Sequence, residues 1–282
     1  MKNDYQVAVV ISGGGMLSAY SAGVIADLRT YLNPDVVIAG SGGSAIAAFY
    51  ASGKLTDEQE KRAWTQELAT DQMISPRRLG NIFDTDYLID VIRHRIPLDI
   101  DAIQHSNTIL EISALSKRTG ELHYFDASRN LFDVIQASHA VPFLARPIPI
   151  HGELFGDSFL SSYVYGHIRR VLDFHRVDKV IVVNAISFSR WMLFVELAIA
   201  WLFASPRYYR ALKRQMKNLR RDYRDFVTKD YHNNQVFFIE PSRPTGITSM
   251  TVDGNKLWRA FGIGKQDAHH LQKQIKNFLS NK

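Results

Sequence analysis

Ala39-Gly40-Ser41-Gly42-Gly43-Ser44 follows a short apolar run, Val36-Val37-Ile38, and precedes a helix-like segment, Ala45 to Ser52. A strand that turns sharply into a helix, with serine at the corner, is a nucleophile elbow. The glycines supply backbone angles that a side chain would obstruct. The helix that follows points its N-terminus at the corner, with its orphan N–H groups and the positive end of its dipole. A serine held there is set up as a nucleophile. Residue type alone does not separate it from a serine in an ordinary turn, so the surrounding sequence decides.

A second glycine corner lies upstream. Val7-Ala8-Val9-Val10-Ile11 reads as a buried strand, short, uncharged and largely β-branched. Ser12-Gly13-Gly14-Gly15 follows, and Ala19 to Leu32 reads as a helix. Three consecutive glycines expose N–H groups suited to an oxyanion hole. A phosphate-binding loop would need Gly-Lys-Ser/Thr, which Met16-Leu17-Ser18 does not supply, and Ser18 occupies the third glycine position of a dinucleotide loop. A purely structural glycine turn is the remaining alternative. The segment from Gly15 to Val36 holds one helix, so the two corners lie on neighbouring parallel strands and face one another.

Asp157, in Leu154-Phe155-Gly156-Asp157-Ser158, follows a short strand-like run. An acid at a strand end can serve as general base for Ser41. Taken alone it reads as a solvated turn residue. Upstream, Ala137-Ser138-His139-Ala140-Val141-Pro142 ends a helix broken by proline.

Together these segments resemble the patatin-like phospholipases, specifically their bacterial branch. Gly13-Gly14-Gly15 with Ala19 to Val24 is similar to the glycine-rich oxyanion loop and first helix. Ala39 to Ser44, running on to Tyr50-Ala51-Ser52-Gly53, is similar to the Gly-x-Ser-x-Gly elbow and its helix. Ala137 to Pro142 resembles the Ala-Ser-x-Ala-x-Pro segment, and Asp157-Ser158 stands where the family has Asp-Gly. Phe237 to His270 resembles the C-terminal extension of bacterial members. The departures are Ala39 for the first elbow glycine, Leu17-Ser18 for a basic residue and glycine, and Ser158 for the glycine after the acid. Starting the motif at Gly40 instead would put Gly42 at the nucleophile position. Helix length counted back from Gly53 favours Ser41.

The resemblance implies an α/β fold, a three-layer α/β/α sandwich around a mainly parallel sheet. It implies a lipid acyl hydrolase with a catalytic dyad of Ser41 and Asp157. Gly13, Gly14, Gly15 and Gly42 would form the oxyanion hole, and no metal or organic cofactor would be required. A catalytically inactive lipid-binding protein and an acyltransferase are the alternatives. The domain reading is a catalytic domain over 1–190 and a C-terminal extension, 191–282, packed on it.

The chain of 282 residues has no cysteine, which removes disulfides, thiolate metal sites and thiol nucleophiles. Its N-terminus leads straight into a core strand without the apolar region of a signal peptide. The net charge of +6 is local. Arg207, Arg210, Lys213, Arg214, Lys217, Arg220, Arg221 and Arg224 stand against Asp222 and Asp225, an excess equal to that of the whole chain. A uniformly basic nucleic-acid binder would not look like this. Just before this cluster, Trp191 to Phe203 is apolar except for Glu196, and shorter than the ~20 residues that span a bilayer. Trp191, Phe194, Trp201 and Phe203 beside Arg210, Lys213, Arg214 and Lys217 suit contact with an anionic membrane surface. A buried helix followed by a solvated basic helix is the competing reading. The expected location is cytoplasmic, with peripheral attachment at the inner face of the membrane, and the expected partner is a lipid or acyl-ester substrate.

The remaining elements are helices over Asp57–Ala69, Asp84–Arg95, Leu131–Ala140, Val164–His175 and Lys256–Leu279, the last interrupted near Gly262 and Gly264. Ile109–Ser116 and Glu121–Phe125 read as a hairpin. Lys179–Val183 and Gln235–Ile239 read as strands, and Gln72–Phe83 as a loop.

Overall fold

The structure is a computed structural model that describes residues 6–78, 80–126, 129–158, 164–186, 198, 201–202, 206–228 and 235–281, with backbone alone for Arg207 and Tyr208. In chain order the strands are β1 (Val7–Ile11), β2 (Val36–Gly40), β3 (Ile109–Ser116), β4 (Leu122–Asp126), β5 (Ile148–Ile150), β6 (Glu153–Gly156), β7 (Lys179–Val183) and β8 (Val236–Ile239). The helices that frame the sheet are α1 (Ser18–Leu28), α2 (Gly43–Ser52), α3 (Asp57–Arg62), α4 (Thr85–Asp90), α5 (Ile100–Gln104), α6 (Leu131–His139), α7 (Val164–Arg169), α8 (Pro206–Thr228) and α9 (Gly254–Ser280).

All eight strands form one mixed sheet in the order β5-β6-β3-β2-β1-β7-β8, with β4 also paired to β3. The five strands from β3 to β8 are parallel, and β4, β5 and β6 join antiparallel. The period-two alternation of a strand explains the layers. Val7, Val9 and Ile11 of β1 enter one core with residues of α1, α2, α6 and α9. Ala8 and Val10 enter a second core with Val164, Ile168, Val171 and Phe226. A strand buried on both faces must be apolar throughout, which is why β1 and β7 carry the unbroken β-branched runs legible in the sequence.

Several elements differ from the sequence reading. α9 runs unbroken from Gly254 to Ser280. Its glycines are a crossing point rather than a break. A side chain on Gly264 would collide with the carbonyl of Tyr20, and one on Gly23 of α1 with the carbonyl of Phe261, so the two helices touch backbone to backbone. The helices begun at Asp57, Thr85 and Val164 each end in a wide π-type turn, at Ala63–Glu67, Val91–Arg95 and Arg170–Phe174. The three-residue strand β5 is too short for a periodic signal.

Candidate active site

β2 and β6 end against each other on a single edge of β3. β2 pairs in parallel with β3, its last residue Gly40 opposite Ser113. β4 takes one edge of β3 as far as Leu115, opposite Leu122. β6 also pairs with Leu115, through Gly156, and runs antiparallel. A strand has only two edges, so β6 occupies the edge that β2 uses further down. Gly40 and Gly156 thus lie opposite residues two apart on β3, roughly 7 Å along the strand. The residues that follow, Ser41 and Asp157, leave the sheet at the same level, that of Ala114.

The end of α6 ties both corners down. Ser41 N–H donates to Ser138 Oγ at 2.7 Å, and Asp157 N–H donates to the carbonyl of Ala140 at 2.9 Å. Ser44 Oγ donates to the Ser41 carbonyl at 2.8 Å and lies 3.3 Å from His139 Nδ1. The Ile135 carbonyl sits 2.9 Å from that same nitrogen, and a carbonyl only accepts, so Nδ1 carries the proton. Burial pushes the His139 pKa down to about 4, so the ring is neutral near pH 7. The sequence reading gave Ser138 and Ser44 no role. Ser138 lay in plain view within the Ala-Ser-x-Ala-x-Pro segment, but only the fold reveals what its hydroxyl receives.

Ser41 is half-buried and has φ 51°, the left-handed region that costs a non-glycine residue on the order of 1–2 kcal/mol. Gly42 has an ordinary φ of −54°. The strained position at this corner is therefore Ser41 and not Gly42. Asp157 is only 3% exposed, which corrects its reading as a solvated turn acid.

The two glycine corners meet as expected from their parallel neighbouring strands. A side chain on Gly42 would run into Ser18 Oγ and come within 2.7 Å of the Gly15 carbonyl. Ser18 thus fills the room that Gly42 leaves, which gives its departure from the family pattern a packing role. Gly14 and Gly15 have φ of 133° and 57°, so this loop does require residues without side chains. Its ends are pinned: Ser12 N–H to the Val183 carbonyl at 2.9 Å, and Met16 N–H to the Ser249 carbonyl at 3.1 Å. Gly13, Gly14 and Gly15 lie between these anchors, next to Gly42 at the start of α2.

An apolar cavity opens from this junction. Gly15, Gly42 and His139 line one part of it, and Phe49, Trp64 and Ile92 lie among its apolar walls. It holds about 90 Å³ counted at the centres of a water-sized sphere, several times the ~10–15 Å³ one water needs. Glu60 belongs to its lining, 2.8 Å from Arg29. Burial outweighs the guanidinium and raises the Glu60 pKa to about 7. Among the described residues, no group of three or more His, Asp or Glu side chains is placed to hold a metal ion.

The membrane-contact residues are divided. Trp191, Phe194 and Phe203 lie outside the described residues. Trp201 and its neighbour Leu202 are 67% and 64% exposed. On α8, Ala211, Leu212, Gln215, Leu219 and Phe226 form a buried stripe. Arg210, Lys213, Arg214 and Lys217 are exposed. Among the described residues, no helix is long and apolar enough to cross a membrane.

Comparison with known proteins places the chain. YjjU, an uncharacterized protein of Escherichia coli (strain K12), is 21% identical over 98% of this chain and 80% of its own length. Similar solved structures include VipD from Legionella pneumophila, with TM-score 0.46 and 14% identity over 96% of this chain and 67% of that one. Another is human GIVD cytosolic phospholipase A2, with TM-score 0.43 and 11% identity over 99% of this chain and 60% of that one. The family model for patatin-like phospholipases matches residues 9–178, more than half of the sequence and the stretch that holds both corners, α6 and Asp157. The chain belongs to the patatin-like phospholipase family.

Proposed function

We propose that this protein is a lipid acyl hydrolase in which Ser41 attacks an ester carbonyl and Asp157 is the general base. The observation that carries the reading is the meeting of β2 and β6 on one edge of β3, with Ser41 and Asp157 as the next residues. Asp157 takes the Ser41 proton as Oγ bonds to the carbonyl carbon. The developing oxyanion is received by N–H groups of Gly13–Gly15 and by that of Gly42, at the positive end of α2. Asp157 returns the proton to the leaving alcohol, and water then cleaves the acyl-enzyme by the same route. A free carboxylate near pH 4 is a weak base. Asp157 is buried, so its surroundings are not those of a free carboxylate.

The cavity beside Gly15 and Gly42 supports an acyl chain as the group transferred to serine. The catalytic domain would span 1–190, with 191–282 as an extension that adds β8 and α9 to the same body. Peripheral attachment to an anionic membrane surface is supported by the exposed Trp201-Leu202 pair and by the basic outer face of α8. The deciding experiment is release of fatty acid from a lysophospholipid, and of nitrophenol from a short-chain ester, by the wild type, Ser41→Ala and Asp157→Asn. Full activity in either variant would overturn the dyad.

A further inference from the structure

Outside the catalytic site, three separate segments line a cleft of about 800 Å³, and two of them bring cations to it. It is lined by Lys117 and Arg118 from the β3–β4 turn, Gly152, Glu153 and Leu154 from the β5–β6 hairpin, and Arg210 and Arg214 from α8. Four cations face one acid there. Glu153 is already engaged, receiving the Ser116 hydroxyl and lying 3.1 Å from Arg118 Nη2. Those contacts hold its carboxyl below the usual range, so it stays ionised and braces Arg118.

The cleft is built rather than a chance grouping on a flexible surface. Ser116 Oγ accepts from the N–H groups of Arg118 and Thr119, at 3.2 and 2.9 Å, which orders the turn. Lys117 N–H donates to the Leu154 carbonyl at 2.9 Å, locking the turn to β6. Arg214 Nη2 donates to the Arg118 carbonyl at 3.1 Å, tying α8 to the same turn. Lys117 is half-buried, and the loss of water lowers its pKa.

We propose that this cleft binds a phosphoryl group. Three guanidinium forks and one ammonium match a multiply charged oxyanion, which arginine engages through paired N–H donors. The cleft is roomier than a lone ion needs. Nucleic acid fits less well, because among the described residues the lining holds no aromatic ring for a base to stack on. The phosphoryl group can come from a lipid headgroup or from free phosphate. Neither Ser41 nor Asp157 lines the cleft, and the proposal does not depend on the hydrolase reading.

The test uses the full chain carrying Ser41→Ala, so that no lipid is consumed. Calorimetric titration with inorganic phosphate and with inositol trisphosphate should show binding. The change Lys117→Ala with Arg118→Ala should weaken it about tenfold or more. Lys217→Ala with Arg220→Ala removes the same charge from α8 outside the cleft and should change it less than about twofold. Arg118→Glu is a second variant at a side chain 74% exposed, where folding is not at stake. Vesicles of phosphatidylcholine with phosphatidic acid or with phosphatidylglycerol, at equal surface charge, separate the two sources. A preference for phosphatidic acid that the cleft variants abolish makes the source a lipid headgroup. Phosphate binding without that preference makes it a soluble phosphate. Equal losses in the two double variants, or no binding of either soluble probe, would overturn the proposal.

Discussion

Ser41 N–H is 2.7 Å from Ser138 Oγ, so the backbone of the corner is held by a hydroxyl 97 residues away in sequence. Ser138 is fully buried at the end of α6. Ser138→Ala should leave the Ser41 amide without that acceptor and cost about 1–2 kcal/mol of stability. Ester hydrolysis should fall more than stability accounts for, by roughly ten- to a hundredfold in kcat with KM little changed, because the strained corner loses its support. Steady-state kinetics on a soluble ester, beside a denaturant midpoint, checks both. An unchanged kcat would make Ser138 a packing residue alone.

Ser41→Ala and Asp157→Asn should each lower esterase activity by roughly a thousandfold or more. Their combination should be little worse than either, since the two act as one unit. Additive losses would assign them to separate steps.

His139 sets a pH dependence whose sign follows from its burial. Its folded pKa of about 4 is below the 6.5 of an exposed imidazole. Above pH 6.5 the ring is neutral in both folded and unfolded chains and costs nothing. As pH falls from 6.5 toward 4, the unfolded chain takes up the proton first, and stability is lost by up to roughly 3 kcal/mol. His139→Gln should make that acid limb shallower in a series of thermal melts, the rest coming from His167, which burial lowers to about 3, while activity near neutral pH survives. Loss of activity as complete as in Ser41→Ala would instead place the imidazole in the chemistry.

Replacing Arg210, Lys213, Arg214 and Lys217 with Glu should reduce binding to anionic vesicles and hydrolysis of lipid within them. Hydrolysis of a soluble short-chain ester should be spared. Each basic residue near such a surface contributes about 1 kcal/mol, and salt weakens it. Vesicle cosedimentation at low and high ionic strength measures this. Equal losses on both substrates would point to damage at the site rather than at a membrane contact.

Gly264→Ala puts a methyl group against the Tyr20 carbonyl, where both helix backbones are rigid. The loss should be on the order of 2–3 kcal/mol, at the upper end of overpacking. Gly262→Ala, where the added methyl meets open space, should be neutral or slightly stabilising. This pair of melts tests whether the glycines mark a crossing or a break.

What the sequence made legible were the strand–glycine–helix units. β1 and β2 are buried on both faces, so their composition alone announces them, and Gly13–Gly15 and Gly42-Gly43 mark where the chain must turn. The position of Asp157 was less accessible. It depends on β6, a strand of four residues paired to a neighbour of three, neither long enough to alternate visibly. Its level in the sheet is set by the pairing of β6 with β3, a strand well before it in the chain. Gly262 and Gly264 read as a helix break because local propensity penalises glycine, whereas Gly264 is needed for the approach of α1. No local pattern reports a partner on the far side of the fold.

The backbone crossing of α1 and α9 has a consequence for moving this catalytic unit between proteins. α1 begins within a turn of the glycine loop, and Ser249, just ahead of α9, supplies the carbonyl that anchors Met16. A chimera that carried residues 9–178 alone would strip α1 of the surface it leans on, shorten β1 and leave its edge bare where β7 now pairs. The stretch outside the family model thus behaves as a buttress, and any transplant of the two glycine corners has to bring β7 and residues 236–280 with them.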